Sequence, residues 1–219
     1  IRDAQESRGL GDVYKRQGAG RCNLFDMSGR LVSYAYREWE YLKDLSSSNK
    51  EAMLFDAEQF KKILFSLCRK VITQAGISAD EIVAVSATSQ REGMVWLDRF
   101  GKEIYAAPSV DLRGEETADI LSGKEPFIKE ITGLPVSGMF GLARLLWYKK
   151  FNEAVYDRID TVMMISDWIC YLLCGSKVSE PSVASSSQLF DVKNGKWSSE
   201  LLKSVGPVSY THLTLPTNS

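Results

Sequence analysis

One long amphipathic helix constrains the fold of this chain more than any other feature of its sequence. In residues 57–75 the apolar side chains recur at intervals of three and four, which places them on one face of a helix. Asp56, with Gln59 three residues later, is typical of a helix start, and Gly76 is typical of a helix stop. On this pattern we expect buried side chains at Phe60, Leu64, Leu67 and Val71, and exposed ones at Lys61, Lys62 and Arg69.

Shorter runs of β-type residues flank this helix in the sequence. Residues 21–26 and 31–39, separated by Met27-Ser28-Gly29, predict a hairpin ahead of it. Further strands are predicted at 82–85, 94–97, 104–107 and 162–165, with a turn at 98–101. Further helices are predicted at 115–121, 142–151, 167–173 and 199–203. This order of strands and helices predicts an α/β fold with a mixed sheet flanked by helices.

Composition and charge exclude several classes of function. The formal net charge is -1 and no basic run occurs, which argues against nucleic acid or an anionic membrane as a partner. The apolar stretch 161–174 is too short to span a membrane and is interrupted by Ser166-Asp167. The four cysteines form no CxxC pair and have no histidine partner. These features favour a reduced, cytoplasmic protein without a metal site.

The two ends differ from the residues between them. Residues 1–17, ending in GDVYKRQ, and residues 207–219, PVSYTHLTLPTNS, resemble translated sequencing adaptors. We expect both to be foreign and to pack poorly against the rest. His212, the sole histidine, lies in the second of them, which excludes histidine chemistry. Residues 18–206 remain, enough for one domain with a sizeable core.

Charged residues cluster where the predicted apolar strands stop. Arg91 and Glu92 come after the predicted strand at 82–85, and Asp111 and Arg113 come after the one at 104–107. A guanidinium offers a fork of donors and a carboxylate two acceptors, which together suit a ligand with adjacent hydroxyls. We expect the four side chains to meet at one open cleft. Spacing alone favours the other interpretation, two surface ion pairs.

Five short motifs shift the balance towards a ligand site. In chain order they are Gln-Arg-Glu-Gly at 90–93, Asp-x-Arg at 111–113, Thr-Gly-Leu-Pro at 132–135, Arg-Leu-Leu-Trp at 144–147 and Ile-Ser-Asp-Trp at 165–168. Together they resemble the FGGY carbohydrate kinases over residues 18–206. The resemblance implies the actin-like, ribonuclease-H-like α/β fold of the first domain of a sugar kinase. It also implies that the substrate is bound by Arg91, Glu92, Asp111 and Arg113.

The same resemblance implies an ATP-dependent phosphoryl transfer. In this family the sugar binds mainly to the first domain, and ATP with magnesium lies against a second one. Gly18, Gly20 and Arg21 look like the last residues of the family's phosphate turn, and the proton-accepting aspartate is expected beyond Gly206. We therefore interpret the chain as a sugar-binding fragment, inactive as given, with ATP and magnesium held mostly by parts outside it.

Differences from individual branches of the family argue against some candidate substrates. Glycerol kinases share Gln-Arg-Glu but carry a Trp where Ser109 stands and a Tyr where Met139 stands, which argues against glycerol. Xylulokinases carry Met-His-Gly in place of residues 91–93, which argues against a ketopentose. The autoinducer kinases share Arg-Glu-Gly, Val-Asp-x-Arg and Met-Ile-Ser-Asp-Trp. The leading hypothesis is a sugar or polyol kinase, with an autoinducer kinase as its specific form. A non-catalytic actin-like binding module is the alternative, and the oligomeric state is left open.

Overall fold

A computed structural model describes residues 17–204, which form two compact units. Unit 1 comprises residues 17–42 and 55–85, and unit 2 comprises residues 43–54 and 86–204. The expectations for residues 1–16 and 205–219, including His212, lie outside the described residues. Within the described part, no helix combines the length and the apolar character needed to cross a membrane.

Unit 1 contains the predicted hairpin. Strand β1 (Gln17–Phe25) pairs antiparallel with β2 (Leu31–Glu40), from Gln17 opposite Glu40 to Phe25 opposite Leu31. The connecting turn is closed by Asp26, whose Oδ1 accepts hydrogen bonds from the backbone amides of Ser28 at 2.9 Å and Arg30 at 3.0 Å. The hairpin prediction is therefore confirmed, with longer strands than the sequence pattern marked.

Helix α1 (Ala57–Ala75) of unit 1 has the bounds and the caps that the sequence predicts. Asp56 Oδ1 accepts a hydrogen bond from Gln59 N at 3.0 Å, which satisfies one of the free amides of the first turn. Gly76 ends the helix at φ 69°, a left-handed conformation that glycine adopts without steric cost.

The apolar stripe of α1 is buried within unit 1, with two corrections. Leu67 and Val71 pack with Ala35 of β2, and Phe60 is buried as expected. Leu64 is only half-buried, and Lys61, expected to be exposed, is half-buried and pairs with Glu58. Lys62 and Arg69 are exposed, as the stripe requires.

The predicted strand at 82–85 is wrong. Among the described residues no strand pairs with this segment, and Val83 and Val85 are 80% and 60% exposed. A run of β-branched residues fits a pleated surface only when a neighbouring strand supplies hydrogen bonds and packing. Composition alone therefore does not establish that this segment pairs as a strand.

Unit 2 is built on a three-stranded sheet with β5 (Met94–Leu97) in its centre. Strands β6 (Glu103–Ala107) and β7 (Thr161–Met164) pair with β5 in antiparallel fashion, one on each side. Every residue of β5 and β7 is buried, so both faces of these strands are covered. This explains why they are continuous apolar runs rather than alternating ones.

Most of the predicted helices of unit 2 are confirmed. Segment 115–121 lies within a 3₁₀ helix, Arg113–Leu121. The other three correspond to α3 (Gly141–Phe151), α5 (Ile165–Cys174) and α7 (Ser199–Ser204). Short elements escaped prediction: β3 (Leu42–Lys43), β4 (Met53–Leu54), α2 (Glu125–Thr132), α4 (Glu153–Tyr156), α6 (Pro181–Ala184), β8 (Phe190–Asp191) and β9 (Lys196–Trp197).

Helix α3 is the element that brings polar groups into the core of unit 2. Its residues 141–148 are all buried, so this helix has no solvent face along most of its length. A Cβ added at Gly141 would lie 2.4 Å from Met94 Cε, which shows how closely the helix start approaches β5. Because α3 is enclosed, Arg144 and Tyr148 must find their hydrogen-bond partners inside the protein.

Candidate functional site

The first predicted charged pair lies on a strained turn. Glu92 has φ 59°, and Gln188 is the one other described non-glycine residue with positive φ. This conformation costs a residue with a Cβ about 1 to 2 kcal/mol. The next residue, Gly93, lies hard against α5, because an added Cβ would be 2.5 Å from Ile165 Cδ1. Strain that the surrounding structure maintains marks the turn as a candidate functional site.

The Glu92 carboxyl is half-buried and lies in the field of two arginines. Burial raises its pKa above the ordinary range, while the charges of Arg144 and Arg91 oppose that shift. Arg91 is exposed. The pKa of Glu180 is lowered mainly by hydrogen bonds from Ser182, and the charge of Arg91 contributes to the same shift. The turn thus presents one acceptor group and one exposed donor group side by side.

Arg144 of α3 forms a hydrogen bond to the backbone of this turn. Its guanidinium is fully buried, and Nη1 donates to the Glu92 carbonyl oxygen at 2.8 Å. Nη2 donates to the carbonyl oxygen of Ser109 at 3.2 Å, and Nη1 also lies 3.5 Å from the Tyr105 hydroxyl. One side chain therefore bridges the turn before β5 and the loop after β6.

Two further side chains tie the same segments together. Gln90 Oε1 accepts hydrogen bonds from Ser109 N at 3.1 Å and from Ser109 Oγ at 2.7 Å. Ser89 Oγ accepts from the backbone amide of Ser166 in the first turn of α5, at 3.1 Å. The segment 89–92 is thus fixed against both the Ser109 loop and α5, which favours a preorganised ligand site.

The second predicted pair has a different environment. Asp111 and Arg113 are both fully buried, and Arg113 Nε donates to Asp111 Oδ2 at 2.7 Å. Arg113 Nη1 donates to Asp44 Oδ2 and to the Tyr148 hydroxyl, each at 2.8 Å. Asp111 also accepts from Met53 N at 3.0 Å. The two side chains thus connect segments of unit 2 that are far apart in the sequence.

Aromatic rings enclose the Arg113 guanidinium. Its central carbon lies 5.0 Å from the ring centroid of Trp147 and 5.1 Å from those of Tyr105 and Tyr148. The Tyr105 hydroxyl donates to Asp111 Oδ2 at 2.5 Å. Burial is the main cause that raises the pKa of both tyrosines well above the ordinary value. Both phenols are therefore neutral at physiological pH, and that of Tyr148 accepts from Arg113.

These findings correct the expectation of one open cleft bounded by four charged side chains. Arg91 and Glu92 reach solvent, whereas Asp111 and Arg113 are enclosed and bonded to protein partners, with only Arg113 Nη2 lacking one among the described residues. They do not form the surface ion pairs of the alternative interpretation either. The two pairs look alike in the sequence, but one reaches solvent and the other is fully buried.

The predicted remnant of a phosphate turn lies in a strand. Gly18 and Gly20 belong to β1, and a Cβ added to them would lie 2.4 Å and 3.2 Å from the Trp39 indole. Packing under this ring is thus one reason for glycine at both positions. The Arg21 guanidinium stacks over the Tyr36 ring at 5.8 Å. Contact of these residues with a nucleotide phosphate stays a prediction.

The described residues do not fit a magnesium or ATP site by themselves. Residues 17–204 hold no cluster of three or more histidine, cysteine or acidic side chains placed to bind a metal ion. The side of Gly18 and Gly20 on which a Cβ would lie is occupied by the Trp39 ring.

Sequence analysis missed the residues that organise the site. The Arg-Leu-Leu-Trp motif contains Arg144 but does not reveal its partners, although a cation in the middle of an apolar helix run is itself a sign of a buried polar role. Asp44 gave no signal, because its partnership with Arg113 depends on a contact between residues far apart in the sequence.

Comparison with known proteins supplies the family. The structure is similar to gluconate kinase from Lactobacillus acidophilus, with TM-score 0.74 and 20% identity over 94% of this chain and 40% of that one. It is equally similar to Plasmodium falciparum glycerol kinase with ADP, with TM-score 0.74 and 21% identity over 93% of this chain and 41% of that one. The fold is thus the α/β, actin-like ATPase fold of the first domain of sugar kinases.

Sequence comparison gives the same result more specifically. The family model described as "FGGY family of carbohydrate kinases, N-terminal domain" matches residues 18–217, and the chain belongs to that family. Autoinducer-2 kinases from Salmonella paratyphi B and Yersinia enterocolitica are 32% and 31% identical over 195 and 196 residues, or 86% of this chain. The chain spans 36% of the length of these relatives.

Proposed function

We propose that this chain is the sugar-binding N-terminal part of a cytoplasmic carbohydrate kinase, which transfers a phosphoryl group from ATP to a hydroxyl of a small sugar or polyol. The observation that carries the proposal is the strained turn at Glu92, whose half-buried carboxylate lies beside an exposed arginine. A carboxylate partly removed from water is a strong acceptor for sugar hydroxyls, and a guanidinium is a matching donor.

The four predicted side chains have two different roles in this proposal, direct contact with the sugar and support of the site. Glu92 accepts hydrogen bonds from the sugar and Arg91 donates to it. Asp111 and Arg113 act at one remove, because their buried network fixes the segment next to the Ser109 loop. ATP and magnesium are held by other parts of the whole protein, as is the aspartate that accepts the proton of the attacking hydroxyl.

An autoinducer-2 type substrate is the specific form that we favour. The curated relatives at 32% and 31% identity are autoinducer-2 kinases. In addition, the Ser109 hydroxyl and amide are held by Gln90, so this wall of the site is small and polar. Glycerol kinases carry an aromatic side chain at that position, which would line the site differently.

Calorimetric titration of the 219-residue chain tests the proposal. The probes are autoinducer-2, D-xylulose, D-gluconate and glycerol, and we expect autoinducer-2 to bind most tightly. Glu92→Gln keeps the shape but removes the charge, so it should weaken binding by about 1.5 to 3 kcal/mol, the worth of a hydrogen bond to a charged group. Glu153→Gln, the same change at an exposed position of α4, is the control.

Three outcomes distinguish the possibilities. Binding without ATP consumption by the chain alone agrees with a substrate-binding fragment. Equal affinity of Glu92→Gln and the parent would place the sugar elsewhere. Absence of binding for all four probes, with the chain folded, would contradict the proposal and favour a non-catalytic binding module.

A further inference from the structure

Arg144 differs from the other buried arginine of unit 2 in the partners it has. Arg113 donates to the carboxylates of Asp111 and Asp44, so its charge is neutralised directly. The hydrogen bonds of Arg144 go to neutral oxygens, the carbonyls of Glu92 and Ser109 and the Tyr105 hydroxyl. Each of the two guanidinium groups has one buried nitrogen without a hydrogen-bond partner in the described part of the chain, Nε of Arg144 and Nη2 of Arg113, so the difference lies in the charge of the partners.

Burial of the Arg144 charge in this arrangement destabilises the fold, which favours a functional reason for it. A guanidinium removed from water without a carboxylate in direct contact is costly, and an apolar side chain would suit the middle of α3 better. Violations of this kind are found mainly where function requires them. The two carbonyls that Arg144 binds belong to the two segments that flank the proposed sugar site.

We propose that Arg144 is a positioning residue, whose planar guanidinium fixes the left-handed turn at Glu92 relative to the Ser109 loop and thereby sets which arrangement of sugar hydroxyls is accepted. This inference rests on the proposed function, since it assigns Glu92 to the sugar.

The geometry explains how one side chain achieves this. The Glu92 carbonyl oxygen is held at 2.8 Å by Nη1, which keeps the residue at φ 59° against its preference for negative φ. Release of that carbonyl would let the turn relax and redirect the carboxylate. Nη1 and Nη2 belong to one rigid plane, so the spacing between the two carbonyls is fixed as well.

The charge of Arg144 adds a second effect. It lowers the pKa of the Glu92 carboxyl and so opposes the upward shift that burial causes. The side chain thus favours the ionised form of the acceptor while it holds the backbone. Lysine would retain the charge but lacks the planar fork, so the two effects are separable by substitution.

The test compares Arg144→Lys and Arg144→Met with Ile128→Val, a substitution of a buried core residue on α2 that serves as the control for lost stability. Calorimetric titration with the four probes is combined with urea unfolding. We expect Arg144→Lys to weaken binding of the preferred probe about tenfold, the equivalent of one hydrogen bond. Arg144→Met should weaken it further, and Ile128→Val should leave the affinity unchanged despite its lower stability.

A second measurement does not depend on binding. In carboxyl-labelled protein followed by NMR, Arg144→Lys should leave the pKa of Glu92 nearly unchanged while shifting the backbone resonances of Glu92 and Gly93. Arg144→Met should shift the same resonances and raise the pKa. If Arg144→Met does not fold, Arg144→Lys alone carries the test.

The results separate this inference from the proposed function. If the parent chain binds no probe, the proposed function fails, and the NMR data still decide whether Arg144 holds the turn. Unchanged resonances of Glu92 in Arg144→Lys would overturn the inference, even if Glu92→Gln weakens binding. An affinity loss no larger than that of Ile128→Val would overturn it as well.

Discussion

The two arginine–carboxylate pairs of unit 2 consist of the same residue types, but they differ in almost every physical respect. Asp111 and Arg113 are fully enclosed, with two carboxylates and three aromatic rings around one guanidinium. Arg91 and Glu92 lie on a strained turn that reaches solvent. A buried network whose groups bond mainly to one another fixes a structure, whereas the groups of a strained, partly exposed pair can hydrogen-bond to a ligand.

The comparison therefore predicts opposite consequences of substitution. A change at Asp111 or Arg113 should act on stability first, because a charge or donor is left buried without its partner. A change at Glu92 should act on ligand binding and leave the folded state nearly as stable as before.

The largest expected effect is at Asp111. Asp111→Asn keeps the shape but removes the charge that faces Arg113, and loss of one partner of a buried ion pair costs about 3 to 5 kcal/mol. Urea unfolding followed by circular dichroism measures this loss. Glu130→Gln, which breaks the exposed pair with Lys193, is the control and should cost less than about 1 kcal/mol. Equal losses in the two variants would remove the distinction between the pairs.

A smaller loss is expected at Tyr148. Tyr148→Phe removes the hydroxyl that accepts from Arg113 Nη1 at 2.8 Å and leaves that donor with Asp44 alone. An incompletely satisfied buried donor costs about 1 to 3 kcal/mol, which the same unfolding experiment detects. Because the ring is kept, its packing against Trp147 is unchanged. A variant as stable as the parent would show that Asp44 suffices.

At Glu92 the predicted change in stability has the opposite sign. Glu92→Gly removes the steric cost of φ 59°, so the free energy of unfolding should stay level or rise by up to about 1 kcal/mol. Binding of the preferred probe should be lost in the same variant. Destabilisation comparable to that of Asp111→Asn would instead make the turn a structural element.

The smallest effect is the dependence on pH. The pKa of Glu92 is raised above its ordinary value of 4.5, so the folded state binds this proton more tightly than the unfolded state does. Its stabilising contribution is full below pH 4.5 and is lost as the pH rises through the folded pKa. Ligand affinity should change the other way, since only the carboxylate is a charged acceptor. Glu92→Gln should abolish both trends in unfolding and titration experiments; trends that persist would come from another group.

Local features of the fold were predictable because their causes are local. The stripe, the Asp56 cap and the Gly76 stop of α1 lie within one segment, and the structure reproduces both ends and the stripe except at Lys61 and Leu64. The hairpin before it follows from two β-type runs and a short turn. In contrast, the segment 82–85 has the composition of a strand, but pairing depends on a neighbour that composition does not reveal.

The candidate site was predictable in its residues but not in their burial. The motifs pointed to Arg91, Glu92, Asp111 and Arg113 as one group. Nothing near residue 113 reveals that Asp44 and Tyr148 converge on it, because those contacts join positions 69 and 35 residues away. The left-handed backbone of Glu92 was likewise hidden, since a glutamate gives no sequence signal for a conformation that favours glycine.

The enclosed Arg113 also limits how this region of the protein can evolve. An apolar substitution of Arg113 leaves the buried Asp111 carboxylate without its ion-pair partner, and one of Asp111 leaves Arg113 with Asp44 as its carboxylate partner, so a stepwise path to an apolar core passes through a variant that is up to about 3 to 5 kcal/mol less stable. Most domains have a total stability of only about 5 to 15 kcal/mol. Substitution is therefore less costly in the exposed turn at Arg91 and Glu92 than in the enclosed network, which can stay the same while the turn changes.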